Sequence, residues 1–162
     1  MRYAICNETF EGWDHGRVCK FAAELGYTGL EMAPFTLAPR ITDVSAERRK
    51  ELRREAEEAG IPIIGLHWLL AKTEGFHLTS PEQAVRKRTA DYLVQLARCT
   101  RDLGGDLMVF GSPAQRRVPP GATMAQAMDY AADTFRGAAP AFADFGVKLC
   151  LEPLAPPDVP VT

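Results

Sequence analysis

Val147-Lys148-Leu149-Cys150-Leu151-Glu152-Pro153 is a short apolar run that ends in a carboxylate and is then stopped by proline. Such a run fits a buried β-strand that delivers Glu152 to its mouth, where an acidic side chain more readily serves chemistry than packing. Four similar runs precede it, at residues 3–6, 28–32, 61–67 and 107–110. Between them the apolar spacing changes to a helical period. Val18, Phe21, Ala22 and Leu25 mark a helix over 14–25 that Gly26 stops, and a strongly charged helix over 45–59 is closed by Gly60. A third helix is predicted to open on Ser80-Pro81-Glu82-Gln83, with Ser80 as cap and Gln83 completing a capping box. Its stripe is Val85, Thr89, Tyr92, Leu93, Leu96, Thr100 and Leu103, and Gly104-Gly105 ends it. The fourth opens on Thr123 with Gln126 and carries Met124, Ala127, Ala131, Phe135, Ala138 and Phe142. The order is therefore β-α-β-α-β-α-β-α-β, with spacings that suit right-handed parallel crossovers in one domain over 1–162.

Two closures fit that order: an open doubly wound sheet, or the first five strands of a (β/α)8 TIM barrel. A complete barrel needs about 250 residues, so 162 residues alone favour the open sheet. Asn7-Glu8-Thr9-Phe10, however, stands where a nucleotide-binding sheet would carry a glycine-rich phosphate loop. The polar residues at strand ends favour the barrel, because Asn7 and Glu8, Glu31, His67 and Glu152 would share its catalytic rim. Each also has a plain reading: Glu8 and Glu31 as exposed turn carboxylates, and His67 as a hydrogen-bonded wall residue between Leu66 and Trp68. The predicted fold class is thus α/β, the N-terminal portion of a TIM barrel with five strands and four helices. In an unclosed barrel Ile5, Leu30, Ile64, Val109 and Leu149 are expected to leave an exposed apolar lining, which favours a homo-oligomer.

Composition narrows the classes. Hydrophobic residues at 46%, charged residues at 25% and a net charge of -2 describe an ordinary folded chain, with no basic excess for nucleic acid. The arginines and lysine at 48, 49, 50, 53 and 54 are interleaved with glutamates at 47, 51, 55, 57 and 58, a solvated pattern of paired charges. No apolar run approaches the roughly 20 residues of a membrane span, and the N-terminus carries no secretory pattern. Cys6, Cys19, Cys99 and Cys150 lack metal or dithiol spacing and fit reduced cysteines in a cytoplasmic protein. His15 and His77 have no ligand-spaced partner, and Arg116 and Arg117 read as solvated loop residues. Trp13, Phe35, Trp68 and Phe76 fit either apolar walls at the rim or ordinary packing.

The run 147–154, together with Gly26-Tyr27-Thr28-Gly29-Leu30-Glu31 and Gly65-Leu66-His67, resembles the sugar phosphate isomerase/epimerase group of xylose-isomerase-like TIM barrels, which includes ketose 3-epimerases. The resemblance implies a sugar or sugar phosphate substrate and proton transfer next to a carbonyl through an enediolate. It implies that Glu152 is both catalytic acid/base and metal ligand, that Glu31 and His67 surround the substrate, and that Asp158 stands where relatives carry a further substrate-binding glutamate. The implied cofactor is a divalent metal, Mn²⁺ or Mg²⁺, with Co²⁺ or Zn²⁺ as alternatives, which binds neighbouring oxygens and stabilises the enediolate. Three further ligands, an Asp, a His and a Glu, belong to strands six to eight of such barrels, so the chain is expected to be a barrel truncated after strand five, and inactive alone. A second branch of the same fold, resembling endonuclease IV, needs a histidine after strand four, where this chain has Gly111-Ser112-Pro113. A noncatalytic partial barrel or assembly module is the third reading. No nucleic-acid or membrane partner is expected.

Overall fold

The computed structural model describes residues 1–153. Five strands, β1 (Ala4–Cys6), β2 (Gly29–Met32), β3 (Ile63–His67), β4 (Leu107–Phe110) and β5 (Lys148–Leu151), pair in chain order, every neighbour parallel. That order excludes the doubly wound sheet, whose strand order reverses at a switch point. Four helices, α1 (His15–Glu24), α2 (Ala46–Glu58), α3 (Gln83–Asp102) and α4 (Met124–Phe145), alternate with the strands and pack on one another in sequence. The result is the α/β arrangement of a partial TIM barrel.

Local chemistry sets the helix ends. Asp14 caps α1 by accepting from Arg17 N at 2.9 Å, and Ser45 caps α2 by accepting from Arg48 N at 3.1 Å. Thr123 and Gln126 form the predicted capping box of α4, which ends at Gly146 in the left-handed conformation (φ 62°). The expected start of α3 needs correction. Ser80 Oγ accepts from Glu82 N at 3.2 Å, a local turn, and the helix begins only at Gln83 without a side-chain cap. Arg86 closes the same turn by donating to the Ser80 and Pro81 carbonyls, both at 2.9 Å, so this turn competes with an earlier helix start.

The side-chain parity of the sheet decides what faces the barrel interior. Ile5 pairs with Leu30, Leu30 with Ile63, and Met108 with Leu149, so these residues point outward into the layer under the helices. Leu30, Met32, Ile63, Leu66, Met108 and Phe110 are all buried there. The expected inner lining is therefore wrong for Ile5, Leu30 and Leu149, and holds for Ile64 and Val109. A register irregularity at Leu30/Glu31 pairs Glu31 with Gly65 and skips Ile64, a bulge that shifts the alternation without any mark in the apolar pattern. The same register places Cys6, Glu31, Gly65 and Leu107 at one level of the inner face, and His67, Val109 and Cys150 at the next.

The charged helix behaves as its sequence predicts. Arg53 pairs with Glu57 at 2.7 Å and Arg54 with Glu58 at 2.8 Å, while only Leu52 and Ala56 of α2 are buried. Arg49 departs from that pattern: it is largely buried and bonds Asp102 at 2.9 Å and the Ile41 carbonyl at 3.2 Å, tying α2 to α3. Among the described residues no helix is long and apolar enough to cross a membrane, and all four cysteines are free. Cys150 is exposed rather than packed, whereas burial raises the Cys6 thiol to about 11.

Candidate active site at the strand ends

Parallel strands deliver their C-terminal residues to one rim, and three of the expected residues meet there. His67 Nδ1 lies 3.0 Å from Glu31 Oε2, and His67 Nε2 lies 3.6 Å from Glu152 Oε2. The imidazole thus sits between two carboxylates from strands on either side. The hydrogen bond to Glu31 raises the His67 pKa above its ordinary 6.5, against the opposing effect of burial, and the charge of Glu152 adds to the rise. A charged imidazolium donates from both nitrogens, which suits this placement.

Backbone contacts and missing side chains hold the third member in place. Glu152 N donates to the Phe110 carbonyl at 3.2 Å, and Arg116 Nη2 donates to the Glu152 carbonyl at 2.8 Å. Arg116 is therefore not simply solvated: it locks the loop after β4 to the end of β5. Glu152 Oε2 occupies the space that a Cβ at Gly111 would fill. A histidine at 111, as the endonuclease-IV-like reading requires after β4, would have to displace the Glu152 carboxylate from beside His67. The sequence marked Gly111 as the absence of a ligand, but its contact with a residue 41 positions later was not readable from spacing.

Asn7 reaches the rim as a clip. It accepts from Ala33 N and donates to Thr36 Oγ1, both at 2.8 Å, joining the 3-10 turn after β1 to the one after β2. Glu8 does not join the triad but lines a neighbouring cavity of about 990 Å³. That cavity also takes in Trp13, His15, Phe35, Trp68 and Lys72, and neither Glu31, His67 nor Glu152 is among its walls. Trp68 connects the two places, because it follows His67 and stacks on its ring, with centroids 6.0 Å apart and planes at 22°. Asp158 lies outside the described residues. His15 and His77 have structural contacts: His15 Nε2 meets the Leu52 carbonyl at 2.9 Å, joining α1 to α2, and His77 Nδ1 accepts from Thr79 N at 3.3 Å. Burial lowers the pKa of both.

The sequence of residues 19–162 matches the family described as xylose isomerase-like TIM barrel. The chain belongs to that family. Solved structures agree on the fold. D-psicose 3-epimerase from Clostridium cellulolyticum H10 superposes with a TM-score of 0.71 at 20% identity, over 93% of this chain and 52% of that one. 3-keto-D-glucoside 4-epimerase from E. coli gives 0.73 at 17% identity, over 95% and 56%. L-ribulose 3-epimerase gives 0.71 at 19% identity, over 93% and 48%. The chain thus spans about half the length of these family-like barrels. No curated protein matches its sequence.

The divalent metal implied by the family resemblance is not accommodated by these residues alone. Among the described residues no group of three His, Cys, Asp or Glu side chains could hold a metal ion. Glu152 offers a carboxylate, but His67 engages Glu31 through one nitrogen and approaches Glu152 through the other. A hard divalent cation takes about six oxygen ligands, and one carboxylate does not supply them.

Proposed function

We propose that this chain carries part of the active site of a sugar isomerase or epimerase that moves a proton at a carbon next to a carbonyl. The observation that carries the reading is the Glu31–His67–Glu152 arrangement, at 3.0 and 3.6 Å, on the rim where TIM barrels perform catalysis. Its chemistry fits. Glu152, with its side chain 36% exposed, is the accessible carboxylate and accepts the proton from the sugar carbon. His67, held by Glu31 through Nδ1, keeps Nε2, whose 3.6 Å approach to Glu152 is too long for a hydrogen bond, to donate to the substrate oxygen on which negative charge develops. A second acid/base is needed to return the proton on the opposite face. The five strands do not provide that group, and a Mn²⁺ or Mg²⁺ ion with Glu152 as one ligand belongs to this proposal only with donors from outside the described residues.

The test is deuterium incorporation beside the carbonyl of free and phosphorylated ketoses in D₂O, using the protein as expressed from its own gene with Mn²⁺ or Mg²⁺. Exchange in the wild type and a loss of about 10²-fold or more in Glu152→Gln supports the reading. Unchanged exchange in Glu152→Gln, or no exchange with any ketose, refutes it.

A further inference from the structure

The cavity beside the triad has features that the proton-transfer reading leaves unused. Its volume of about 990 Å³ lies at the upper end of the roughly 300–1,000 Å³ typical of small-molecule sites, and exceeds what one six-carbon sugar fills. Four phenylalanine and tryptophan side chains, Phe10, Trp13, Phe35 and Trp68, contribute to its walls. Among the described residues two non-glycine residues adopt a left-handed backbone, Trp68 and Lys72, both at φ 57°, and both line this one cavity. Strain of this kind gathers at ligand clamps. Here it sets the Trp68 ring against His67 and the Lys72 ammonium 4.3 Å from the centre of the Phe35 ring.

The charges around the cavity point to the kind of ligand. Arg48 is already paired with Glu51 and Glu55, and Asp14 is used in capping α1. Among the described residues Lys72, Glu8 and Glu11 have no ion-pair partner, which leaves one ammonium facing two carboxylates. A phosphate dianion would meet more repulsion than attraction there. Hydroxyl groups suit it better, since they donate to carboxylates while sugar C–H faces lie on aromatic rings.

Resting on the sugar reading of the triad, we infer that this cavity is a subsite for a second, uncharged glycosyl unit, so that the substrate is a glycosylated hydroxy-carbonyl sugar. Trp68 forms the boundary between the two parts: its ring stacks 6.0 Å, centroid to centroid, from the imidazole assigned to the reacting sugar, and walls the space for the second unit. Phosphate on the second position gains nothing from this cavity.

The protein has two tryptophans, and both line the cavity. In Trp68→Phe, Trp13 becomes the only tryptophan and reports the cavity rather than the triad. Titration of the protein expressed from its own gene with a ketohexose, its phosphate ester, and a disaccharide with a ketose as its reducing unit tests the inference. The disaccharide is expected to bind at least tenfold tighter than the ketohexose and to change Trp13 fluorescence, and Phe35→Ala is expected to erase most of that advantage while leaving ketohexose affinity within twofold. Equal affinity for the two, a silent Trp13, or tighter binding of the phosphate ester overturns the subsite and leaves the triad reading intact. Failure of all three sugars to bind overturns the triad reading as well.

Discussion

Gly65 and Gly111 sit one strand apart near the rim, and a methyl group at each is expected to have opposite effects. At Gly65 a Cβ would press into the Leu107 carbonyl group, 2.8 Å from its carbon, so the obstacle is the backbone of β4 and cannot rotate away. Overpacking of this kind costs about 1–3 kcal/mol. For a chain of this size each kcal/mol lowers Tm by roughly 2–4 °C, so Gly65→Ala should melt about 2–12 °C lower. At Gly111 the obstacle is the carboxylate of Glu152, the end of a flexible side chain 36% exposed. It can swing into solvent at a cost within about 0.5 kcal/mol, the range of ordinary surface changes. What Gly111→Ala loses is the 3.6 Å approach of Glu152 to His67. Thermal melting together with NMR titration of the His67 ring separates the two. Gly111→Ala should keep Tm within about 2 °C and lower the His67 pKa part of the way toward 6.5, the remainder being held by Glu31. A Gly111→Ala protein that melts as low as Gly65→Ala, or whose His67 titrates as in the wild type, refutes this account of the rim.

Glu31→Gln removes the largest cause of the raised His67 pKa, so NMR should show a larger fall than in Gly111→Ala. Because the folded-state pKa is raised, the stability contributed by His67 is fully present below pH 6.5 and is lost as pH rises through the folded value; denaturation curves of Glu31→Gln should lose that dependence. Thr123→Ala breaks the α4 capping box and should cost about 1 kcal/mol, read as a lower urea midpoint with unchanged slope. Leu93→Ala empties a fully buried position on α3 and should cost about 2–5 kcal/mol by the same measurement. Purified chain should self-associate in sedimentation, since Leu151, Met124 and Met128 are each at least 60% exposed; a single monomer species at all concentrations would count against it.

The order of elements was legible because a buried parallel strand and an amphipathic helix leave different apolar periods, and the α3 stripe from Thr89 to Leu103 is buried as read. Convergence of Glu31, His67 and Glu152 was also legible, since parallel strands point their C-terminal residues the same way. The inner lining was not fully legible: side chains alternate along a strand, so the inward Glu31 turns Leu30 and its partner Ile5 outward and the inward Cys150 turns Leu149 outward, while the bulge opposite Leu30/Glu31 brings Ile64 inward with no residue type to announce it. The role of Arg116 was hidden for a similar reason. Its partner is a backbone carbonyl 36 residues away, and a backbone acceptor has no side-chain identity to find in a sequence. Residue identity shows which groups can do chemistry, whereas the contacts that hold them depend on shape.

Leu151 shows what the rim still needs. It pairs with Phe110 and points to the same side of the sheet, yet Phe110 is fully buried and Leu151 is 60% exposed. Phe135 of α4 packs edge-on against Phe110, and among the described residues no such cover lies over Leu151. Burying Leu151 takes another element in the helix layer beside α4. A strand paired to the open edge of β5 would bring its end to the side of Glu152 away from His67. On the proposed function, that is the side of Glu152 open to a second proton-transfer group, because the other side is filled by the imidazole and the backbone at Gly111. On the same reading, a covering that removes the exposed apolar surface at this edge would also bring groups toward the Glu152 carboxylate, so burial of Leu151 and completion of the site would share one structural requirement.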